Sequence, residues 1–202
     1  MTSRRLGSLA ILGLLLIAVG ACSQTRPTPV PGTTSGYAPD LRGRRVMVLP
    51  VQQNVGVPGN PDAEFAFGLR ERNVEVDWVF PDEVEERLAR APGTRASIRG
   101  LPVSYFLQTE VERVGDPLYG ELRRLAALVD AEAVLLPIQT ALEAEEGMDP
   151  TVRFWTALIE IRSGRVLWFS LLDGDPAPAR DPRGLASAVD TVTRALLWYA
   201  GA

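Results

Sequence analysis

The sequence predicts an α/β fold of the α+β kind, a mixed four- to five-stranded sheet flanked by helices. Three observations carry that expectation. Short apolar runs such as 45–51 and 133–138 have the length and β-branched content of strands buried on both faces. Leu118, Leu122, Leu125, Ala126 and Val129 recur at the spacing of one helical face. Two alternating runs, 153–161 and 166–172, meet at Arg162-Ser163-Gly164-Arg165, the composition of a hairpin turn.

The elements follow in the order β-α-β-α-irregular-α-β-β-β-α, with no internal repeat. The first strand is expected over Arg45–Val51, and Gln52–Gly59 as a loop. Asn60-Pro61-Asp62 reads as a helix cap, a first-turn proline and an acid that favours the positive end of the helix dipole. Phe65 and Leu69 lie one turn apart in that helix, which should stop near Asn73. Alternation over 74–80 places Val74, Val76, Trp78 and Phe80 on one face of a second strand. Asp82 with Glu85 three residues on has the pattern of a capping box, with Val84 and Leu88 inward. Segment 91–115, broken by Gly and Pro, predicts loops with one short element. Asp116-Pro117 opens the next helix, and Ala133–Ile138 follows as a buried strand. In the hairpin, Trp155, Ala157, Ile159 and Ile161 share one side, Phe154 and Leu158 the other. Asp181-Pro182 begins the last helix, striped by Leu185, Val189, Val192, Leu196 and Tyr199.

Composition narrows the chemistry. The chain has 202 residues, and all 21 of its cations are arginine, so it lacks both lysine and histidine. That excludes imidazole bases and ligands, Schiff-base lysines and a phosphate-loop lysine. One cysteine, Cys22, can form neither an internal disulfide nor a thiolate zinc cage. Carboxylates, hydroxyls and arginines remain. With 46% hydrophobic residues and 23% charged, the chain is neither disordered nor polytopic.

Arg4 and Arg5 precede an apolar run over 6–20, then Gly20 and Ala21, the layout of an export signal. As a helix those fifteen residues span about 22 Å, short of the ~30 Å hydrocarbon core. Val19-Gly20-Ala21-Cys22 resembles the bacterial lipoprotein signal, an aliphatic residue and two small ones before a cysteine. The resemblance implies cleavage between Ala21 and Cys22, a diacylglyceryl group on Cys22 Sγ and acylation of the new amino group. Ser23 stands where an aspartate would resemble the inner-membrane retention signal, which favours the outer membrane and a periplasm-facing domain. The expected organisation is a signal peptide over 1–21, a lipidated cysteine and flexible Pro/Thr/Ser/Gly tether over 22–40, and one globular domain over 41–202. Cleavage removes Arg4 and Arg5 and shifts the formal charge from −4 to −6. So acidic a domain is no partner for nucleic acid and should stand off an anionic membrane.

Val46-Met47-Val48-Leu49-Pro50 resembles the first strand of the family that includes the TolB amino-terminal domain and the lipoproteins CsgG and LpoB. The segment 128–136 is similar to the family's helix-to-strand junction, and 159–168 to its hairpin; together the likeness covers most of 44–200. It implies a mixed sheet flanked by helices, in a protein that works by binding other envelope components. Pro137 stands where the family's strand usually ends in glycine. No pair of ~10-residue alternating segments is available for the transmembrane hairpin of a CsgG-like pore.

These readings converge on a lipid-anchored module, non-catalytic and without cofactor or resident metal, that acts through an envelope protein partner. Trp198, off the stripe of the last helix, is the candidate contact residue. The alternative is a ligand- or metal-binding lipoprotein using the acidic loops Glu143–Asp149 and Asp173–Asp175, whose oxygens suit hard cations. A carboxylate-dependent hydrolase is a third reading and needs a carboxyl with a raised pKa. Arg42, Arg44 and Arg45, beside the first strand, suit either an acidic contact or a solvated strand edge.

Overall fold

The computed structural model describes residues 29–201, except 73, 74, 92 and 94. The chain enters through β1 (Thr33–Gly36), then β2 (Arg45–Val48) and β3 (Gln53–Val55). Helix α1 (Pro61–Glu71), β4 (Asp77–Val79) and α2 (Pro81–Ala89) follow, then a 3₁₀ turn at Ser104–Leu107. The second half is α3 (Leu118–Val129), β5 (Ala133–Glu143), β6 (Thr151–Glu160), β7 (Val166–Asp173), α4 (Pro182–Leu196) and a closing 3₁₀ turn at Trp198–Gly201.

The sheet is mixed and seven-stranded, in the order β1-β7-β6-β5-β2-β4, with β3 also paired to β5. β2 runs parallel to β4 and β5, while β5, β6, β7 and β1 alternate in direction. Helices cover both faces, which is why β2 and the first half of β5 are continuous apolar runs. Val84 of α2 and Leu118, Leu122 and Leu125 of α3 close one face together with Phe106. Phe65 and Leu69 of α1, with Leu185, Val189, Val192 and Leu196 of α4, close the other. The alternation of β6 divides between them: Ala157 and Ile159 join the first layer, and Val152, Phe154 and Leu158 the second.

Two strands exceed the four or five expected. β3 lies inside the expected loop 52–59, in register with Gln139–Ala141. β1 lies inside the expected tether 22–40, so part of that tether is an edge strand. Its side chains point mostly to solvent, and what fastens it is backbone: the β7 ladder, flanked by bonds from Gly32 N to Leu171 O (2.7 Å) and from Tyr37 N to Leu167 O (3.1 Å). A side chain at Gly36 would clash with Leu167 O, and its φ is +75°, so this clip needs glycine.

Helix starts differ in detail from the sequence pattern. Asn60 caps α1 as expected, accepting from Ala63 N at 3.2 Å, and Asp181 caps α4 through Arg183 N at 2.9 Å. The Asp82–Glu85 capping box does not form, because α2 starts at Pro81 with Phe80 in the cap position. Pro137 coincides with a break in the β5–β6 register, where a residue without an N–H fits; its carbonyl accepts from Gln52 N at 3.0 Å. Among the described residues no helix is long and apolar enough to cross a membrane.

Tyr105, in the first 3₁₀ turn, packs on the α2–α3 layer with its hydroxyl enclosed and unpaired. Burial pushes its pKa up to about 12. Tyr105→Phe is expected to raise stability by about 1 kcal/mol, since an enclosed, unbonded hydroxyl costs more than its absence. The phenol stays neutral in the fold but ionises near 10.0 once exposed. Wild-type stability should therefore fall between pH 10 and about 12, and the variant should be spared the Tyr105 share of that loss while keeping the part due to the buried Tyr199. Urea unfolding at neutral and alkaline pH measures both effects.

Candidate protein-contact surface

Helix α4 delivers its last apolar residues, Leu196 and Leu197, into the core and then tightens into the closing 3₁₀ turn. That change of pitch swings Trp198 outward, 50% exposed, while Tyr199 stays half-buried. The Trp198 indole N–H donates to Ala38 O at 2.9 Å. Its ring lies 5.5 Å from Tyr37, tilted by 56°, and meets Tyr199 edge-on at 5.8 Å. Tyr37 itself is 67% exposed. The Tyr199 hydroxyl accepts from Leu41 N at 3.1 Å, and burial pushes its pKa up. The Arg42 guanidinium sits 5.2 Å from the Tyr199 ring centre. A side-chain hydrogen bond from Arg42 also holds the Asp40 carboxyl down at about 2.

The structure thus joins two sequence-distant segments, 37–42 and 198–199, into one aromatic ledge flanked by the Arg42–Asp40 ion pair. Rings of this kind supply large contact area at low entropic cost, and the arginine adds a planar hydrogen-bonding group. Trp198 is both a latch on the strand β1 segment and an exposed face. Arg45, by contrast, is spent within the fold: it donates to Val129 O at 2.6 Å and pairs with Asp77 at 2.7 Å and with Glu83 at 3.6 Å. The lipobox residues Val19, Gly20, Ala21 and Cys22 lie outside the described residues.

The acidic loops are differently employed from a cation site. Arg153 bridges them, holding Asp173 through two bonds of 2.6 and 2.9 Å and reaching Glu143 at 3.7 Å. Asp175 accepts from the Ser187 hydroxyl at 2.8 Å. No group of three acidic, histidine or cysteine side chains is placed to hold a metal among the described residues. A hydrolase requires a carboxyl pushed upward. Asp40 and Asp181 are pulled down, by hydrogen bonds from Arg42 and Arg183.

No family model matches the chain, and no curated protein matches it. Solved structures are similar to it. The LpoB C-terminal domain from Salmonella enterica is 13% identical, over 68% of this chain and 86% of that one, with a TM-score of 0.42. A PelC dodecamer from Paraburkholderia phytofirmans is 17% identical over 83% and 95%, with a TM-score of 0.44. The lipoprotein GNA1162 from Neisseria meningitidis is 18% identical over 79% and 98%, with a TM-score of 0.42.

Two exposed aromatics escape the sequence reading. Tyr37 is hidden by its setting, since a tyrosine among Pro, Thr, Ser and Gly gives no sign of a folded neighbour. Phe67 was legible. It sits two residues from Phe65, off the Phe65–Leu69 stripe, and its ring is 55% exposed on α1.

Proposed function

We propose that this chain is a lipid-anchored cell-envelope module, attached through Cys22 to the outer membrane and facing the periplasm. It binds a protein partner through the Tyr37–Trp198 ledge and performs no chemistry of its own. The observation that carries the contact is the pair of exposed rings at 5.5 Å, joined across 160 residues of sequence by the Trp198–Ala38 hydrogen bond. Aromatic anchors flanked by arginine are the side chains that dominate protein interfaces. The lipobox, the envelope-family motifs and the missing lysine and histidine support the same reading.

In-cell crosslinking followed by capture of the chain tests it. Wild type should recover a specific envelope protein, and Tyr37→Ala should weaken that recovery about thirtyfold, the scale of one aromatic anchor. Tyr37 is the better probe because its side chain contributes ring contact alone, whereas truncating Trp198 also unlatches Ala38. Equal recovery by wild type and Tyr37→Ala removes the ledge from consideration. Capture of only abundant background by wild type refutes the binding module itself.

A further inference from the structure

Away from the aromatic ledge, α1 and α4 cross at close quarters. A side chain at Gly68 would stand 2.5 Å from Val189 Cγ1, so the two helices meet almost backbone to side chain. Outside this crossing Phe67 stands as a ridge with a hollow on either side. One, of about 490 Å³, is floored by Gly68, Val189 and Thr193. The other, of about 440 Å³, has Ala63 and Leu185 in its wall. Glu64 borders both.

A knob beside a hole on one surface is what a twofold interface requires, because each copy must offer both halves. The charges on α1 are arranged the same way. Glu64 lies three residues before Phe67, and Arg70 three after it. Residues three apart share a helix face. When two α1 helices pack antiparallel about an axis at Phe67, the two rings lie side by side, each leaning into a flanking hollow of the other copy, and residue 67−k faces 67+k. Glu64 then meets Arg70 of the second copy, and the pairing occurs twice. Ala63, small and exposed, faces Glu71 of the second copy and leaves it room. No ion pair joins Glu64 or Arg70 to another described residue. Arg70 rests its guanidinium 3.9 Å from the Phe80 ring centre, which leaves its outer edge free for a carboxylate.

We infer that the α1–α4 face is a self-association surface, through which two copies of this chain form a twofold dimer centred on Phe67. The two hollows are lined by sixteen residues a copy. That falls somewhat below a standard interface side, so the dissociation constant belongs near the micromolar range. The surface is distinct from the ledge, and the dimer requires neither the lipid nor the partner.

Sedimentation velocity of the full chain in a mild detergent, across a concentration series, tests it. Wild type should pass from monomer to dimer with a constant of about 1 µM. Glu64→Arg sets like charges against each other at both ends and should weaken dimerisation at least tenfold; Arg70→Glu should do the same. The double variant Glu64→Arg/Arg70→Glu should return to within about threefold of wild type, as the exchanged charges again oppose each other. Residues six apart are not neighbours within one helix, so only pairing between copies gives this rescue. A wild-type chain still monomeric at about 100 µM overturns the inference. So does a dimer indifferent to the single changes, or a double variant no tighter than the singles.

Discussion

Phe154→Ala is expected to lower the unfolding free energy by about 3–5 kcal/mol, the range for truncating a large buried aromatic. Phe154 is fully buried on the α1–α4 side of β6, and its ring lies 5.7 Å from that of Phe65 at an interplanar angle of 17°. In the ladder it stands between Thr140 of β5 and Leu172 of β7. The cost should reach the upper part of the range because the neighbours cannot collapse into the gap. α4 is held against the sheet at Gly174, where a side chain would come within 2.6 Å of Ala188 N, and against α1 at Gly68. Helices already in close contact have little room to move inward, so the cavity persists. Urea unfolding of Phe154→Ala beside Phe67→Ala makes the comparison internal. The second variant removes an exposed ring and, at protein concentrations well below the dimer constant, should shift stability by no more than about 0.5 kcal/mol. Equal losses in the two would show that the α1–α4 layer is not where the sequence alternation puts it.

That comparison rests on a feature legible in the sequence. The run 153–161 alternates, so its two sets of side chains must face opposite layers, and the structure divides them that way. The α3 and α4 stripes were equally legible because helical periodicity and burial coincide there. β1 was not. Thr33, Thr34, Ser35 and Gly36 carry no apolar pattern, and a strand held by its backbone leaves none to read. β3 escapes for a similar reason, since Asn54 and Val55 are both exposed. At the candidate surface the exposure of Trp198 follows from its place off the α4 stripe, which periodicity reveals. Its partners do not. Tyr37 and Ala38 reach Trp198 only because β1 runs down the β7 edge to the end where α4 terminates. A contact across 160 residues depends on topology, and no local pattern encodes it.

If Cys22 carries the proposed lipid, Cys22→Ala is expected to abolish the acyl mass, to leave residues 1–21 uncleaved, and to hold the precursor at the inner membrane by its apolar run instead of passing it to the outer membrane. The thiol is the only one in the sequence, so no second cysteine can take the lipid. Two or three acyl chains give stable attachment, whereas the uncleaved precursor has only the apolar run 6–20 to hold it at a membrane. Intact-mass measurement with membrane fractionation reads all three effects. A variant that is still cleaved and still fractionates like wild type refutes the lipobox. With the proposed lipid on Cys22, β1 would set how far the domain can stand away. Gly32 is already bonded to Leu171, so ten residues, 23–32, separate the lipid from the sheet, and fully extended they reach about 35 Å. A tether running to residue 40 would reach about 60 Å. The tethered edge is β1, whereas β4 lies five strands across from it, about 24 Å further. An anchor at Cys22 would thus hold the β1–β7 edge within about 35 Å of the membrane and let the β4 edge stand about 24 Å farther out.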